Sequence, residues 1–349
     1  MPGGYARPSG SRRLLAWRRP LTWIAAALLL PILAGLFVLG CIPPLLGMEA
    51  GAGLASTERT LCAMARDGSM DILVGGDSRA KMQVDPAVLT AVTGRPSLNV
   101  AEPLPLGGDL ATLSRVLRKY PAVLASAPVL ILSVSAAGLD DLSLIDLTTP
   151  VMFNWTIRDH ARVALRAPAE YARLMRERYM RTVAKAAWRK AVGGGFVCDE
   201  GVQLPAYVRA GRGFLPDSNT LSRVIPASPR KPGSYLIDGA GWRMFQESLA
   251  WLADSPARAV ILYNAPIHGP WKDDPRNAGE MEREALISAR IAEAAARHPK
   301  VRYLDFIKTP PPGILPEHFS NANHLNERGA AVFTAYLAEY LLKEGLVAK

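Results

Sequence analysis

The sequence predicts an α/β domain, a central parallel sheet with helices on both faces in a three-layer sandwich, behind one N-terminal transmembrane helix. Three observations carry this reading. Short apolar runs of strand length alternate with longer amphipathic stretches. A chain of 349 residues with 49% hydrophobic content can bury one sizeable core and still carry an insertion. A charge-free apolar segment precedes all of these elements.

The chain opens on a basic tail, residues 1–20, in which Arg7, Arg12, Arg13, Arg18 and Arg19 supply half of the formal charge of +10. The rest is only mildly basic and holds no recognition helix, zinc finger or aromatic RNA platform, so nucleic acid is not expected as a partner. Leu21 to Leu39 contains no charged residue, about the ~20 residues that a helix needs to cross a bilayer. The predicted span is 21–40. No Lys or Arg occurs from Cys41 to Ser56, so the positive-inside bias keeps the N-terminus in the cytoplasm. The expected location is the bacterial inner membrane, single-pass, with the main domain periplasmic or otherwise extracytoplasmic. A cleavable signal peptide is a rival, although its apolar region usually runs ~7–15 residues. A lipoprotein signal is another, and the leucine in Val38-Leu39-Gly40-Cys41 fits it poorly.

Residues 41–68 read as a linker, since Ile42 to Arg59 is rich in Pro, Gly and Ala. The folded domain is assigned to 69–349. Within it Asp71-Ile-Leu-Val-Gly-Gly reads as a buried parallel strand running into a tight turn, and the runs starting at Pro128, Ala259 and Val301 repeat the pattern. Helices are expected at 110–119, 241–253, 279–298 and 326–342. From about 142 to 234 the alternation fails, giving an Arg-rich helical tract around Ala167 to Ala191 and then a Gly- and Pro-rich loop, which reads as an insertion. Of three cysteines, Cys62 and Cys198 are candidates for a disulfide in an oxidising compartment, with two unpaired buried thiols the favoured reading. No Cys and His spacing suits a metal, and no cofactor is expected.

Chemistry concentrates at the two ends of the domain. Gly76-Asp77-Ser78-Arg79 follows the first strand, which places Ser78 where parallel α/β sheets present reactive groups, at the mouth of a helix; the tripeptide alone reads equally as an N-cap serine after a turn. Phe319-Ser-Asn-Ala-Asn-His324-Leu-Asn-Glu-Arg-Gly329 places a histidine in a polar loop before the last helix. A serine hydroxyl is a poor nucleophile at neutral pH until a base takes its proton, and His324 is the candidate base.

Strand-Gly-Asp-Ser near the start, paired with x-x-His-Leu-Asn-x-x-Gly before the last helix, resembles the SGNH (GDSL-type) hydrolases. The resemblance is strongest to their membrane-anchored branch, which works beside membrane-bound O-acyltransferases in decorating cell-envelope polymers. It covers roughly 72–342 and implies an SGNH/flavodoxin-like three-layer sandwich. By resemblance Ser78 is the nucleophile and His324 the general base. Asn321 stands where the family carries an aspartate, three residues before the histidine; it can orient the imidazole but offers no charge. Asp305, ending the preceding strand, is a substitute acid or a structural turn aspartate. The family's oxyanion hole implies the Ser78 amide, Gly107 with Asn99 near the second strand, and Ser135 where the third-strand asparagine is missing. His268 and Trp271 are candidates for the cleft wall, or for packing. His160, His298 and His318 read as surface or interface residues.

The function so implied is acyl transfer or ester hydrolysis, with O-acetyl as the expected group, on a cell-envelope or exported polysaccharide. The expected partners are that glycan or another acylated polymer and a membrane-bound O-acyltransferase. The alternative is an inert accessory protein with the same fold that binds glycan or the acyltransferase. Plain lipolytic or thioester hydrolysis ranks third, because no extended apolar lid is evident.

Overall fold

The computed structural model describes residues 55–67, 70–104, 109–126, 128–147, 155–175, 214–218 and 235–348, with 184 and 188. The basic tail, the span expected at 21–40 and most of the linker lie outside these residues. Among the described residues no helix is long and apolar enough to cross a membrane.

Five strands, β1 (Ile72–Gly75), β2 (Ser97–Asn99), β3 (Val129–Ser133), β4 (Ala259–Asn264) and β5 (Val301–Asp305), form one sheet in the order 2-1-3-4-5. Every pairing is parallel. This is a doubly wound order, which puts the switch point between β1 and β3 at the carboxyl edge. Successive side chains divide between two cores. Ile72, Val74, Val129, Ile131 and Ile261 pack with Leu89, Phe333 and Leu337. Leu73, Leu130, Leu132, Val260 and Leu262 pack with Leu113, Leu117, Phe245 and Ile287. Both faces are covered, so β1, β3 and β4 are apolar at nearly every position instead of alternating.

The helices follow from caps as much as from periodicity. After α1 (Ala55–Asp67) come α2 (Ser78–Gln83), α3 (Pro86–Thr93), α4 (Leu110–Lys119) and α5 (Ala122–Ala125). Asp77, Asp85 and Asp109 accept backbone N–H bonds at the starts of α2, α3 and α4, satisfying amides that the helix leaves without partners. Beyond β3 lie α6 (Ala136–Leu139), α7 (Asp141–Leu147), α8 (Ile157–Arg166) and α9 (Pro168–Leu174). Then come α10 (Ala240–Asp254), α11 (Gly269–Lys272), α12 (Ala278–Ala296) and α13 (Glu327–Lys343). The four helices expected from the sequence are α4, α10, α12 and α13.

Three expectations are corrected. The stretch assigned to the linker ends in a helix that belongs to the domain: Leu61 and Cys62 of α1 are buried, and Thr57 Oγ1 donates to the Val100 carbonyl at 3.2 Å. Cys62 is disulfide-bonded, to a partner outside the described residues, and is not a free thiol. His160 is buried and not on the surface; its Nδ1 lies 3.0 Å from the Tyr171 hydroxyl and its ring edge meets Trp155.

The tract expected as an insertion leaves and rejoins the sheet at one place. Asp141 N donates to the Leu236 carbonyl at 3.0 Å, and the Asp141 carboxylate accepts from Ala240 N and Gly241 N at the start of α10. Of its basic run, Arg173 lies in α9, while Arg176, Arg178, Arg181, Lys185, Arg189 and Lys190 lie outside the described residues.

Gly76 closes the turn after β1 at φ +113°, and a Cβ there would sit 2.4–2.8 Å from the Ser133 hydroxyl, carbonyl and amide. Gly94, which caps α3 at φ +69°, faces open space. Gly76→Ala is therefore expected to destabilise the domain by about 3 kcal/mol or more, against about 1 kcal/mol for Gly94→Ala, read as urea midpoints.

Candidate active site

The site begins with the turn that Gly76 permits. Asp77 follows as the N-cap of α2, and one carboxylate oxygen accepts both from Arg79 N at 3.0 Å and from the Ser133 hydroxyl at 2.7 Å. The same hydroxyl accepts from Asp77 N at 2.9 Å. The end of β3 is thereby locked to the turn after β1, and Ser78 stands half-buried as the first residue of α2. Beneath it Arg79 is buried. Its Nη1 donates to Asn264 Oδ1 at 2.7 Å, its Nη2 lies 3.4 Å from Glu284, and Asn264 Nδ2 donates to Glu284 at 3.1 Å. These bonds join the first βα turn to the end of β4 and to α12.

The second half is a closed loop. Phe319 and Leu325 form an isolated bridge, and Ser320 N donates to the His324 carbonyl at 3.0 Å. Three neighbours hold the loop in place: Gln83 Nε2 donates to the Asn323 carbonyl at 2.8 Å, His268 N to Ala322 at 2.9 Å, and Asn326 N to His318 at 2.8 Å. Gly329 lets α13 approach, because a Cβ there would meet the His318 carbonyl at 2.3 Å. So held, His324 Nε2 lies 2.8 Å from Ser78 Oγ, across 246 positions of sequence.

The opposite ring nitrogen determines what this contact can do. His324 Nδ1 is 2.9 Å from Asn321 Oδ1, and the same oxygen accepts from the backbone N–H of Asn323 at 3.1 Å and of His324 at 3.0 Å. Two amide donors require an acceptor, so the oxygen and not the NH₂ of Asn321 faces the ring. Nδ1 must then carry the proton and donate, which leaves Nε2 with a lone pair for the serine hydroxyl. Asn321 thus supplies the tautomer that a base needs. Burial pushes the His324 pKa below the ordinary histidine value, the Arg79 charge pushes it the same way, and Asp77 and Asp217 oppose them. The imidazole is therefore neutral at pH 7.

The other sequence candidates divide. Asn99 is not an oxyanion donor: its Nδ2 donates to the Ala80 and Val84 carbonyls at 2.8 and 3.0 Å, and its Oδ1 accepts from Ala101 N at 2.9 Å. It ties the end of α2 to β2. Gly107 lies outside the described residues. Ser135, at the start of α6, has a buried hydroxyl without a hydrogen-bond partner and lines a cavity of about 20 Å³ with Asp77, Asp109 and Ser133. Asp305 is a turn aspartate: it accepts from Ile307 N, Lys308 N and the Ser288 hydroxyl. His268 and Trp271 are buried and serve packing, with the His268 ring edge-on to Phe319.

Sequence reading missed Gln83, the Arg79–Asn264–Glu284 cluster and Asp217. Asp217 lies in a segment, 214–218, that returns from the insertion to the site. Leu215 N donates to the Lys81 carbonyl at 3.0 Å, and Glu327 N donates to the Asp217 carbonyl at 2.8 Å. A Gly- and Pro-rich stretch gives no signal that it docks there. Among the described residues no group of His, Cys, Asp or Glu is arranged to hold a metal ion.

Asn321→Asp places a carboxylate against Nδ1 and is expected to raise the His324 pKa, measured by NMR titration of the imidazole. Asn321→Ala leaves two loop amides without their acceptor and is expected to cost about 1 kcal/mol in unfolding free energy. The chain matches no protein-family model and no curated protein, so function is argued from this geometry.

Proposed function

We propose that the chain is an SGNH-type, extracytoplasmic acyl-handling enzyme, an O-acyltransferase or esterase acting on O-acetyl groups of a cell-envelope or exported polysaccharide. The observation that carries this reading is the 2.8 Å contact between Ser78 Oγ and His324 Nε2, with the ring held in the base-competent tautomer by Asn321. Ser78 Oγ attacks the ester carbonyl while its proton passes to Nε2, and the resulting imidazolium stays bonded to Asn321 through Nδ1–H. The carbonyl oxygen gains negative charge at the helix start, where the Ser78 amide is one of the first-turn donors that α2 leaves unused. Among the described residues, Ser135 is the sequence candidate for a side-chain donor whose hydroxyl has no other bond. Collapse of the adduct breaks the ester C–O bond, and Nε2–H protonates the departing sugar oxygen. The acyl-serine then passes its acyl group to water, giving hydrolysis, or to a second hydroxyl, giving transfer, with His324 again taking the attacking proton.

A location outside the cytoplasm is supported by the charge-free segment with arginines on one side and by the Cys62 disulfide, since such bonds persist in oxidising compartments. Anchoring suits a polymer made at the membrane, with a membrane-bound O-acyltransferase as the proposed partner. The competing reading, an inert accessory protein of the same fold, draws on Asn321, which lends the imidazolium no charge. The hydroxyl–imidazole contact weighs against it, because a binding protein has no need of a serine held on a neutral base.

A serine-directed phosphonate is expected to label the wild type and not Ser78→Ala. Hydrolysis of an aryl acetate is expected to fall by about 10³-fold or more in His324→Ala. Equal labelling of wild type and Ser78→Ala would exclude covalent catalysis by this serine and leave the accessory reading.

A further inference from the structure

Position 321 offers the imidazole an acceptor and no charge, yet proton transfer from Ser78 creates an imidazolium in a site that is largely buried. The charged groups around this ring come from three elements. From the first βα turn, Arg79 is engaged with Asn264 and Glu284, and Asp77 is fixed by its bonds to Arg79 N and Ser133. Lys81, one turn further along α2, is paired with Glu102 at 2.6 Å. At the start of α13, Glu327 and Arg328 are exposed. From the insertion comes Asp217, half-buried, in the segment 214–218.

That segment is a strap across the two halves of the site. One of its backbone bonds goes to Lys81, three residues after Ser78, and the other to Glu327, three residues after His324. The strap's backbone therefore brings Asp217 to the edge of the sheet where both residues of the pair stand. A charge need not touch the ring to act on it, because Coulomb interaction in a partly buried site falls slowly with distance and is weakly screened by salt.

We propose that Asp217 is a positioning residue for the Ser78–His324 pair, a carboxylate carried in by the insertion that stabilises the His324 imidazolium in place of a carboxylate at position 321. This rests on the Ser–His reading above. It gives the insertion a role in the chemistry: its return segment adds a carboxylate that acts on the ring in the same direction as Asp77 of the first βα turn, the larger of the two effects. The direction of the Asp217 effect on the ring agrees, since its charge favours the protonated form against burial and Arg79.

The test uses the full chain in detergent micelles with ¹³C-labelled histidine rings, the His324 resonance being assigned from His324→Gln. Asp217→Asn keeps the strap's backbone bonds and removes the charge. It is expected to lower the His324 pKa by about half a unit, and Asp217→Glu is expected to restore it. The acid limb of kcat/KM for an aryl acetate is expected to move to lower pH by the same amount, and its plateau to fall by about threefold. An unchanged His324 pKa in Asp217→Asn overturns the proposal, and intact phosphonate labelling in that variant shows that the Ser–His reading survives. A lowered pKa together with no labelling of wild-type Ser78 overturns the Ser–His reading and the role assigned to Asp217 with it.

Discussion

The hydrogen bond between Ser78 and His324 depends on two backbone constructions made at opposite ends of the domain and brought to one edge of the sheet. The first is the turn after β1, which exists only because Gly76 adopts a positive φ against the backbone of Ser133. The second is the loop 319–325, closed on itself and pinned by Gln83, His268 and the start of α13. Neither half makes the contact alone. The parallel order 2-1-3-4-5 places β1 beside β3 and lets α2 and α13 share one face, so the serine and the histidine meet although they are 246 positions apart.

Around this contact, polar groups are buried in matched sets. Asp77 and Ser133 exchange bonds, and Arg79, Asn264 and Glu284 form a three-way cluster beneath α2. A buried ion pair contributes little net stability, because desolvation offsets the attraction, but losing one partner strands the other charge. Its effect here is positional. The cluster fixes α2 relative to β4 and α12, and with it the position of Ser78, while its positive charge adds to burial, the larger effect, in lowering the His324 pKa.

Asn321 separates two duties that an aspartate performs together. Its oxygen fixes the tautomer, as its two backbone donors make plain, while the charge that would favour an imidazolium is absent from that position. Replacing Asp by Asn in a serine protease is damaging in part because the tautomer is wrong; here the tautomer is right, and only the charge has to come from elsewhere. The strap at 214–218 gives the insertion a structural reason to return to the sheet's carboxyl edge.

Much of the fold and half of the site were legible in the sequence. The continuous apolar runs at 72–75, 129–133 and 259–264 announced strands buried on both faces, the glycine pair announced the turn, and Ser78, His324 and Asn321 stood in motifs whose residues are local in sequence. What the sequence could not convey was contact between distant segments. Asn99 was a candidate for the oxyanion hole only through the family resemblance; the fold shows its amide spent on the carbonyls of Ala80 and Val84 at the end of α2. Residues 55–67 read as linker although their buried face meets the domain, and of the two readings open for His268 and Trp271, cleft wall or packing, the fold favours packing, with both side chains buried and the His268 ring edge-on to Phe319. Composition and periodicity report what a residue prefers among its near neighbours. Which hydroxyl is spent, which carboxylate stands near the ring and which face of a helix is covered are fixed by packing between elements many residues apart, and that decision belongs to the tertiary structure.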